Sequence, residues 1–319
     1  MNPADWWQEL AAPLARLLSG LCCGLLVANV IEALGLSRML SRLASPLAVY
    51  AHMGHTACTA FALAFASPAA ANALLAEAHD EGRIKGKELL LANLFNSLPA
   101  YLVHLPTLVL TIFPILGFST LIYAGLTLSA ALLRTGLTIY AGRWCLPVAS
   151  QISQPPVTPQ GSLRERLRHA WPVAWKRFTR RVPRLFVFTI PIYCAIVWLH
   201  YAGLFEDLET WLAASPFWSS WLSPQAVSII ALSLLAEVGA SVSAAGAMLH
   251  TGSLSTPDVI LALLVGNILS SPMRALRHQF PSYAGFYRPA LALRLILANQ
   301  SLRTVSMCLV TVGYYLWTR

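Results

Sequence analysis

Charge is what this 319-residue chain has least of. Asp, Glu, Lys and Arg together supply 11% of residues, against roughly 25% in a soluble domain. Acids are the scarcer sign, 13 against 22 Lys and Arg. Both signs fall in a few short clusters, leaving apolar stretches of ~20 residues or more, the length of a bilayer span. Hydrophobic residues make up 57% and the mean hydropathy is +0.61. A soluble enzyme, a disordered scaffold and a disulfide-stapled secreted module are excluded; the chain reads as a polytopic membrane protein. C-x-x-C spacing is absent too. Cys22, Cys23, Cys58, Cys145, Cys194 and Cys308 are scattered through apolar sequence and read as small core residues. There is no phosphate loop, no nucleophile elbow and no H-E-x-x-H, so neither enzyme chemistry nor a cofactor is expected. The opening Met1-Asn2-Pro3-Ala4-Asp5-Trp6-Trp7 has no basic n-region or cleavage site, and no signal peptide is expected.

What is present is a succession of apolar segments. Residues 11–34 form a first helix broken only by Arg16 and Glu32. Leu36–Leu47 sets Ser37, Arg38, Ser41 and Arg42 among apolar residues, a short amphipathic interfacial piece. Residues 47–78 are Ala-rich, with Gly54 and Ser67-Pro68 inside. A polar patch (His79, Asp80, Glu81, Arg83, Lys85, Lys87) precedes spans at about 88–116 and 118–140. After the hydrophilic stretch 143–184 come an apolar helix at 185–203 and an acidic segment at 204–222. An Ala/Ser/Gly-rich stretch at 225–249 and spans near 258–280 and 290–316 complete the chain.

That order occurs twice. Gly203 echoes Gly35, Asp258 opens a span as Glu88 does, and Asn267…Ser271…His278 matches Asn93…Ser97…His104. The offsets are 168, 170 and 174 residues, a drift that short insertions would explain. Charge then sets orientation. If 47–78 crossed once, Arg38 and Arg42 would face away from Arg83, Lys85 and Lys87. As a re-entrant hairpin turning near Ala66–Ala70, it puts both groups on the side of the linker. That linker carries nine basic residues (Arg143, Arg164, Arg166, Arg168, Lys176, Arg177, Arg180, Arg181, Arg184) against Glu165 alone, so its face is cytoplasmic. Segment 204–222, with Glu206, Asp207 and Glu209, then falls outside, and Arg274, Arg277 and Arg288 fall inside again. Three crossings plus one hairpin is an odd count, so the halves are inverted. The expectation is an all-α protein of the bacterial cytoplasmic membrane. Its parts are a first repeat at 1–142, a basic cytoplasmic linker at 143–184 and a second repeat at 185–319. Arg303, midway along the last span, fits only by facing the bundle interior.

Within the linker, Leu163, Leu167, Trp171, Trp175 and Phe178 recur at spacings of three and four, and Ser162-x-x-Glu165 makes a capping box. A basic, Trp-bearing helix suits an anionic leaflet. The net charge of +9 is therefore read as attraction to the lipid bilayer, not to nucleic acid.

The chemistry-bearing residues lie at helix breaks. Asn93-Leu-Phe-Asn96-Ser97-Leu-Pro99 interrupts one span, and Asn267-Ile-Leu-Ser270-Ser271-Pro272 its partner. Proline removes a donor and frees carbonyls, and Asn and Ser add polar groups at the same break. Broken helices of this composition bind ions or polar substrates near the midplane. Glu237, inside the second hairpin, would hold a carboxylate at membrane depth, costing about 2.5–3.5 kcal/mol on insertion scales, and so needs a partner or a job. His52, His55 and Cys58 read H-x-x-H-x-x-C; on one helical face they would suit a transition metal.

The chain resembles the nucleoside-recognition, or Gate-domain, family of integral membrane proteins. That family includes the spore maturation proteins and the gates of concentrative nucleoside and ferrous-iron transporters. The resemblance rests on the duplicated unit at 35–140 and 203–316. It rests also on Ala174-Trp-Lys-Arg-Phe178 and on Asp258-Val-Ile-Leu-Ala-Leu-Leu-Val-Gly-Asn-Ile-Leu-Ser-Ser-Pro272. It implies paired hairpins and broken helices around a solute path, with Asn96, Ser97, Asn267, Ser270 and Ser271 along it. The cysteine-centred motif of the iron permeases is not evident in either hairpin. The expected function is a secondary transporter of a small polar solute or ion, coupled to a proton or sodium gradient. The alternative is a non-transporting membrane interaction protein, and after it a transition-metal permease. A second copy of the chain is a candidate partner.

Overall fold

In hydrocarbon a backbone must satisfy its own N–H and C=O groups, and a single segment does so only as a helix. The computed structural model describes residues 11–34, 46–147, 163–203, 207, 210–211, 223–235 and 238–318, and there it is helical without strands. In chain order the helices are α1 (Ala12–Ala33), α2 (His55–Ala64), α3 (Pro68–Asp80), α4 (Gly86–Phe95), α5 (Ser97–Leu116), α6 (Ser119–Cys145) and α7 (Leu163–Tyr201). They continue with α8 (Pro224–Leu235), α9 (Val238–His250), α10 (Thr256–Arg274), a π-helical stretch (Ala275–Gln279), α11 (Phe280–Phe286) and α12 (Pro289–Thr318). Among the described residues, six stretches are long and apolar enough to cross a bilayer: Ala12–Ile31, Gly86–Leu116, Ser119–Cys145, Arg168–Leu199, Thr256–Phe286 and Pro289–Thr318.

The two expected hairpins are pairs of short helices. α2 and α3 have 10 and 13 residues, α8 and α9 have 12 and 13. At 1.5 Å per residue none exceeds ~20 Å, short of a ~30 Å hydrocarbon core. The first turn lies at Phe65–Ser67, earlier than expected, because Ser67-Pro68 starts α3 rather than interrupting it. The Ser67 hydroxyl accepts from Ala70 N–H at 3.1 Å, and Pro68 fills the first helical position, where no donor is needed.

The helix bounds repeat at one offset. α3 and α9 (68–80, 238–250), the spans 86–116 and 256–286, and the starts of α6 and α12 (119, 289) are each displaced by 170 residues. The turns repeat in atomic detail. Gly82 donates to His79 C=O and Ile84 to Ala78 C=O; Gly252 donates to Leu249 C=O and Leu254 to Met248 C=O. Both glycines have positive φ, 73° and 71°, the conformation that lets a helix reverse without a Cβ clash. α4 and α10 are unbroken from these turns to Phe95 and Arg274, so they leave no room for an insertion. Asn267 therefore corresponds to Ser97, not to Asn93, and the 174-residue match is one helical turn out of register.

The chain divides into two compact units. One comprises Met1–Ala100, Thr135–Cys194 and His278–Asn299; the other comprises Tyr101–Arg134, Ala195–Arg277 and Gln300–Arg319. Every cut falls inside a helix or its π-helical continuation. The expected boundaries at 142 and 184 likewise fall inside α6 and α7, and α7 runs unbroken for 39 residues from the linker into the following apolar stretch. The first unit packs through small residues: a Cβ added to Gly24 of α1 would stand 2.6 Å from Ala69 Cβ of α3. In the second, Ile229, Ile230, Val259, Ile260 and Leu264 of α8 and α10 form a buried core with Ile112 and Met307. The amphipathic piece at 36–45, most of 204–222 and the capping serine Ser162 lie outside the described residues.

Nothing lies within 4 Å of a Cβ built on Gly82 or Gly252, so alanine there costs only the left-handed strain of about 1–2 kcal/mol. Denaturant unfolding in detergent should show that loss for Gly82→Ala and equally for Gly252→Ala. Gly86→Ala, at a helix start with ordinary φ and open surroundings, should show none.

Candidate functional site

Polar side chains gather in each unit, but the two sets differ in charge. In the first, Asn93 on the inner face of α4 is 2% exposed. Its Nδ2 donates to Asn72 Oδ1 of α3 at 2.9 Å and to the Tyr283 hydroxyl of α11 at 3.4 Å. The Tyr287 hydroxyl closes the network, donating to the Asn72 carbonyl at 3.1 Å. Every member is neutral, so burial costs only hydrogen bonds, and those are made. Asn96 is different. It caps α4 at the break before α5 and is 8% exposed, yet neither its Oδ1 nor its Nδ2 has a hydrogen-bond partner among the described residues. Ser97 starts α5.

Ion pairs tie the hairpin of this unit to its neighbours. Glu77 of α3, whose side chain is 2% exposed, lies 3.7 and 3.9 Å from the guanidinium groups of Arg177 and Arg181, one turn apart on α7. Arg184 donates to Asp80 at 2.7 Å. The basic residues of α7 thus engage acids of α3, while Trp171 and Trp175 remain about half exposed. Glu88 accepts the Gly54 N–H at 3.1 Å, fixing the hairpin's entry against α4.

In the second unit Asn267 of α10 is the hub. Its Nδ2 donates to the Tyr123 hydroxyl of α6 at 2.8 Å. Its Oδ1 accepts from Arg303 of α12 at 3.0 Å and from Arg274, two turns further along α10, at 3.4 Å. Ser271 donates to Gln300 Oε1 at 2.8 Å, with both residues buried. The Ser270 hydroxyl is buried and has no partner among the described residues. Pro272 withdraws one donor from the ladder, and the helix widens into the π-helical turn just beyond. Arg274 ends α10, and the helical run continues through the π-helical stretch to Phe286. Arg303 stands near the centre of its apolar run, and a guanidinium at the centre of a spanning helix costs about 2.5–3.5 kcal/mol on insertion scales.

The structure does not bring His52, His55 and Cys58 onto one helical face. α2 begins at His55 after Gly54, and His52 lies outside it with φ 54° and its Nδ1 3.3 Å from the Leu146 carbonyl. No group of three metal-ligating side chains occurs among the described residues. Glu237 lies outside the described residues. Sequence reasoning missed Asn72, Tyr283, Tyr287, Tyr123 and Gln300, whose side chains meet their partners only through tertiary packing. Arg303 had a signal, a charge in the middle of an apolar run, whereas Arg274 stands beside Arg277, His278 and Gln279 and read as a flanking charge.

Tyr123→Phe removes the acceptor for Asn267 Nδ2, and Tyr287→Phe removes the donor to the Asn72 carbonyl. Each should lower unfolding stability in detergent by about 1–3 kcal/mol, the cost of leaving one buried group unpaired. Wild-type stability in both would mean that other groups take over these contacts.

No family model matches the chain, and no solved structure matches it. It is similar to uncharacterized protein MJ0871 of Methanocaldococcus jannaschii, 24% identical over 293 residues that cover 91% of this chain and 89% of that protein. Uncharacterized protein MJ1556 of the same archaeon is 26% identical over 235 residues, covering 72% of this chain and 71% of its own length. For uncharacterized protein MJ0880 the values are 22% over 287 residues, 88% and 90%.

Proposed function

We propose that the chain is a secondary transporter of a small polar solute or ion, with its binding groups at the helix breaks. The observation that carries this reading is the Asn96 amide, buried at the α4–α5 break with its hydrogen-bonding capacity unused by the described residues. Such a group calls for a polar partner, which a solute entering at the break would supply. Ser270, shortly before Pro272 and the π-helical stretch, supports the reading from the second unit. The resemblance to the Gate-domain family points the same way, toward paired hairpins around a solute path. In this reading the 170-residue repeat is inverted: each half has three crossings and one re-entrant hairpin, and 143–184 faces the cytoplasm. A proton or sodium ion supplies the drive.

Two experiments test it. Asn96→Leu exchanges an unpartnered amide for an apolar group of similar size. It should raise unfolding stability by about 1–3 kcal/mol while cutting uptake into proteoliposomes at least ~tenfold, a trade of stability for function. A stabilised variant with full uptake would remove Asn96 from the solute path. Wild-type protein that is folded and inserted, yet moves nothing from a broad panel of solutes and ions, would favour the interaction-protein alternative. For topology, reporter tags after Lys87 and after Pro159 should both read cytoplasm and a tag after Arg319 the opposite side. A tag after Lys87 on the outer side would sink the inverted arrangement.

A further inference from the structure

Three guanidinium groups belong to the middle of apolar spans in the second unit. Arg134 is the sixteenth residue of the 27-residue span Ser119–Cys145, Arg303 the fifteenth of the 30 in Pro289–Thr318, and Arg274 the nineteenth of the 31 in Thr256–Phe286. Each is within ~5 Å of helix rise of its span's centre. Arg274 and Arg303 converge on one atom, Asn267 Oδ1. Arg134 is buried, at 6% exposed. Asn267 satisfies one donor from each of two guanidinium groups that bring five apiece, and an amide oxygen neutralises no charge. Among the described residues no carboxylate lies within ion-pair distance of Arg274 or Arg303. Asp258, at the other end of α10, is engaged by Ser255 at 2.6 Å.

We infer that Arg274 and Arg303, with Asn267 between them, form a binding site for a small oxyanion, a carboxylate or a phosphate. Converging guanidinium groups match the planar fork of a carboxylate or the oxygens of phosphate better than they match a spherical halide. The missing counter-charge is then supplied by the ligand. The mid-span position favours a soluble anion over a lipid headgroup, whose phosphate sits at the interface. As a statement about substrate the inference rests on the permease reading; as a statement about binding it stands apart from it.

The test uses the full chain in a neutral-headgroup detergent. Sodium acetate, succinate and phosphate are titrated against chloride at matched ionic strength, with thermal stability as readout. An oxyanion should give a saturable rise that chloride does not, unchanged when choline replaces sodium. Arg303→Gln and Arg274→Gln should each weaken the response at least ~30-fold, as expected for one lost charged contact. Should either variant fail to fold, the oxyanion-over-chloride preference of the wild type decides alone, and its absence overturns the site. A shift produced only by phosphatidylglycerol would make the occupant a lipid and overturn the soluble anion. Glu237 sets a further condition. If Glu237→Gln destabilises as much as Arg303→Gln, and the double variant no more than either, the charges are neutralised within the chain and the proposal falls. Oxyanion binding without uptake would sink the permease reading and keep the site. Uptake of neutral or cationic solutes without oxyanion binding would do the reverse.

Discussion

Backbone groups in hydrocarbon have no water to turn to, and this constraint is hardest on helices too short to cross. α2, α3, α8 and α9 are too short to cross, and each buried donor or acceptor at their ends must find a partner in the protein. The chain meets the demand locally. Ser67 and Pro68 start α3; Gly82 and Gly252 close α3 and α9 in matching left-handed turns; Ser255 and Asp258 cap α10; Glu88 takes the Gly54 amide. Small residues let the short helices lie close enough to replace lipid with protein, as Gly24 does against Ala69.

A shared scaffold does not mean a shared site. At the 170-residue register, Asn72 corresponds to Val242, Asn93 to Leu263 and Tyr283 to Phe113, so the neutral network of the first unit has only apolar counterparts. Conversely, Arg303 corresponds to Leu133, Tyr123 to Leu293 and Asn267 to Ser97. The helix bounds and turns repeat while the polar contents differ in charge, amide and phenol alone in one case and amide and phenol with guanidinium groups in the other. The neutral network is complete, which suits a fixed packing element. The cationic one lacks a counter-charge among the described residues, which suits a ligand.

The division of labour between pattern and packing explains what could be read in advance. Span positions follow from hydropathy, and α1, the stretch Gly86–Leu116, α6 and α12 begin and end within about five residues of expectation because Gly117, Pro289 and the polar patch at 79–87 punctuate the apolar runs. The first pair of short helices was legible from Ser67-Pro68, which separates α2 from α3. The course of α7 was not, because its charge suggested a surface helix, whereas Glu77 and Asp80 draw Arg177, Arg181 and Arg184 into intramolecular pairs. The register of the repeat was misjudged by one turn for an equally physical reason. Similar Asn and Ser residues seemed to match, and only the unbroken helices from the turns at Gly82 and Gly252 show that they do not. Tyrosines were invisible as site residues because a phenol in an apolar run looks like core until its hydroxyl is seen to donate or accept.

The orientation of Asn267 follows from its neighbours. A guanidinium has donors and no acceptor, so only the amide oxygen can face Arg274 and Arg303. The NH2 must then face elsewhere, and Tyr123 Oη receives it at 2.8 Å. α6, α10 and α12 are thereby joined through one amide, since Tyr123, Asn267 and Arg303 belong to one helix each. An oxyanion arriving between the arginines offers them what the amide cannot, full negative charge on more than one oxygen. The amide oxygen is then released from two donors at once, while its NH2 still holds Tyr123. Binding would exchange the Asn267–Arg303 tie between α10 and α12 for a bridge through the ligand, while Ser271–Gln300 between the same helices and Asn267–Tyr123 between α10 and α6 stay in place. A ligand held by one arginine from each helix binds best when Arg274 and Arg303 are close, and such a difference in affinity is the thermodynamic requirement for shifting an equilibrium between helix arrangements.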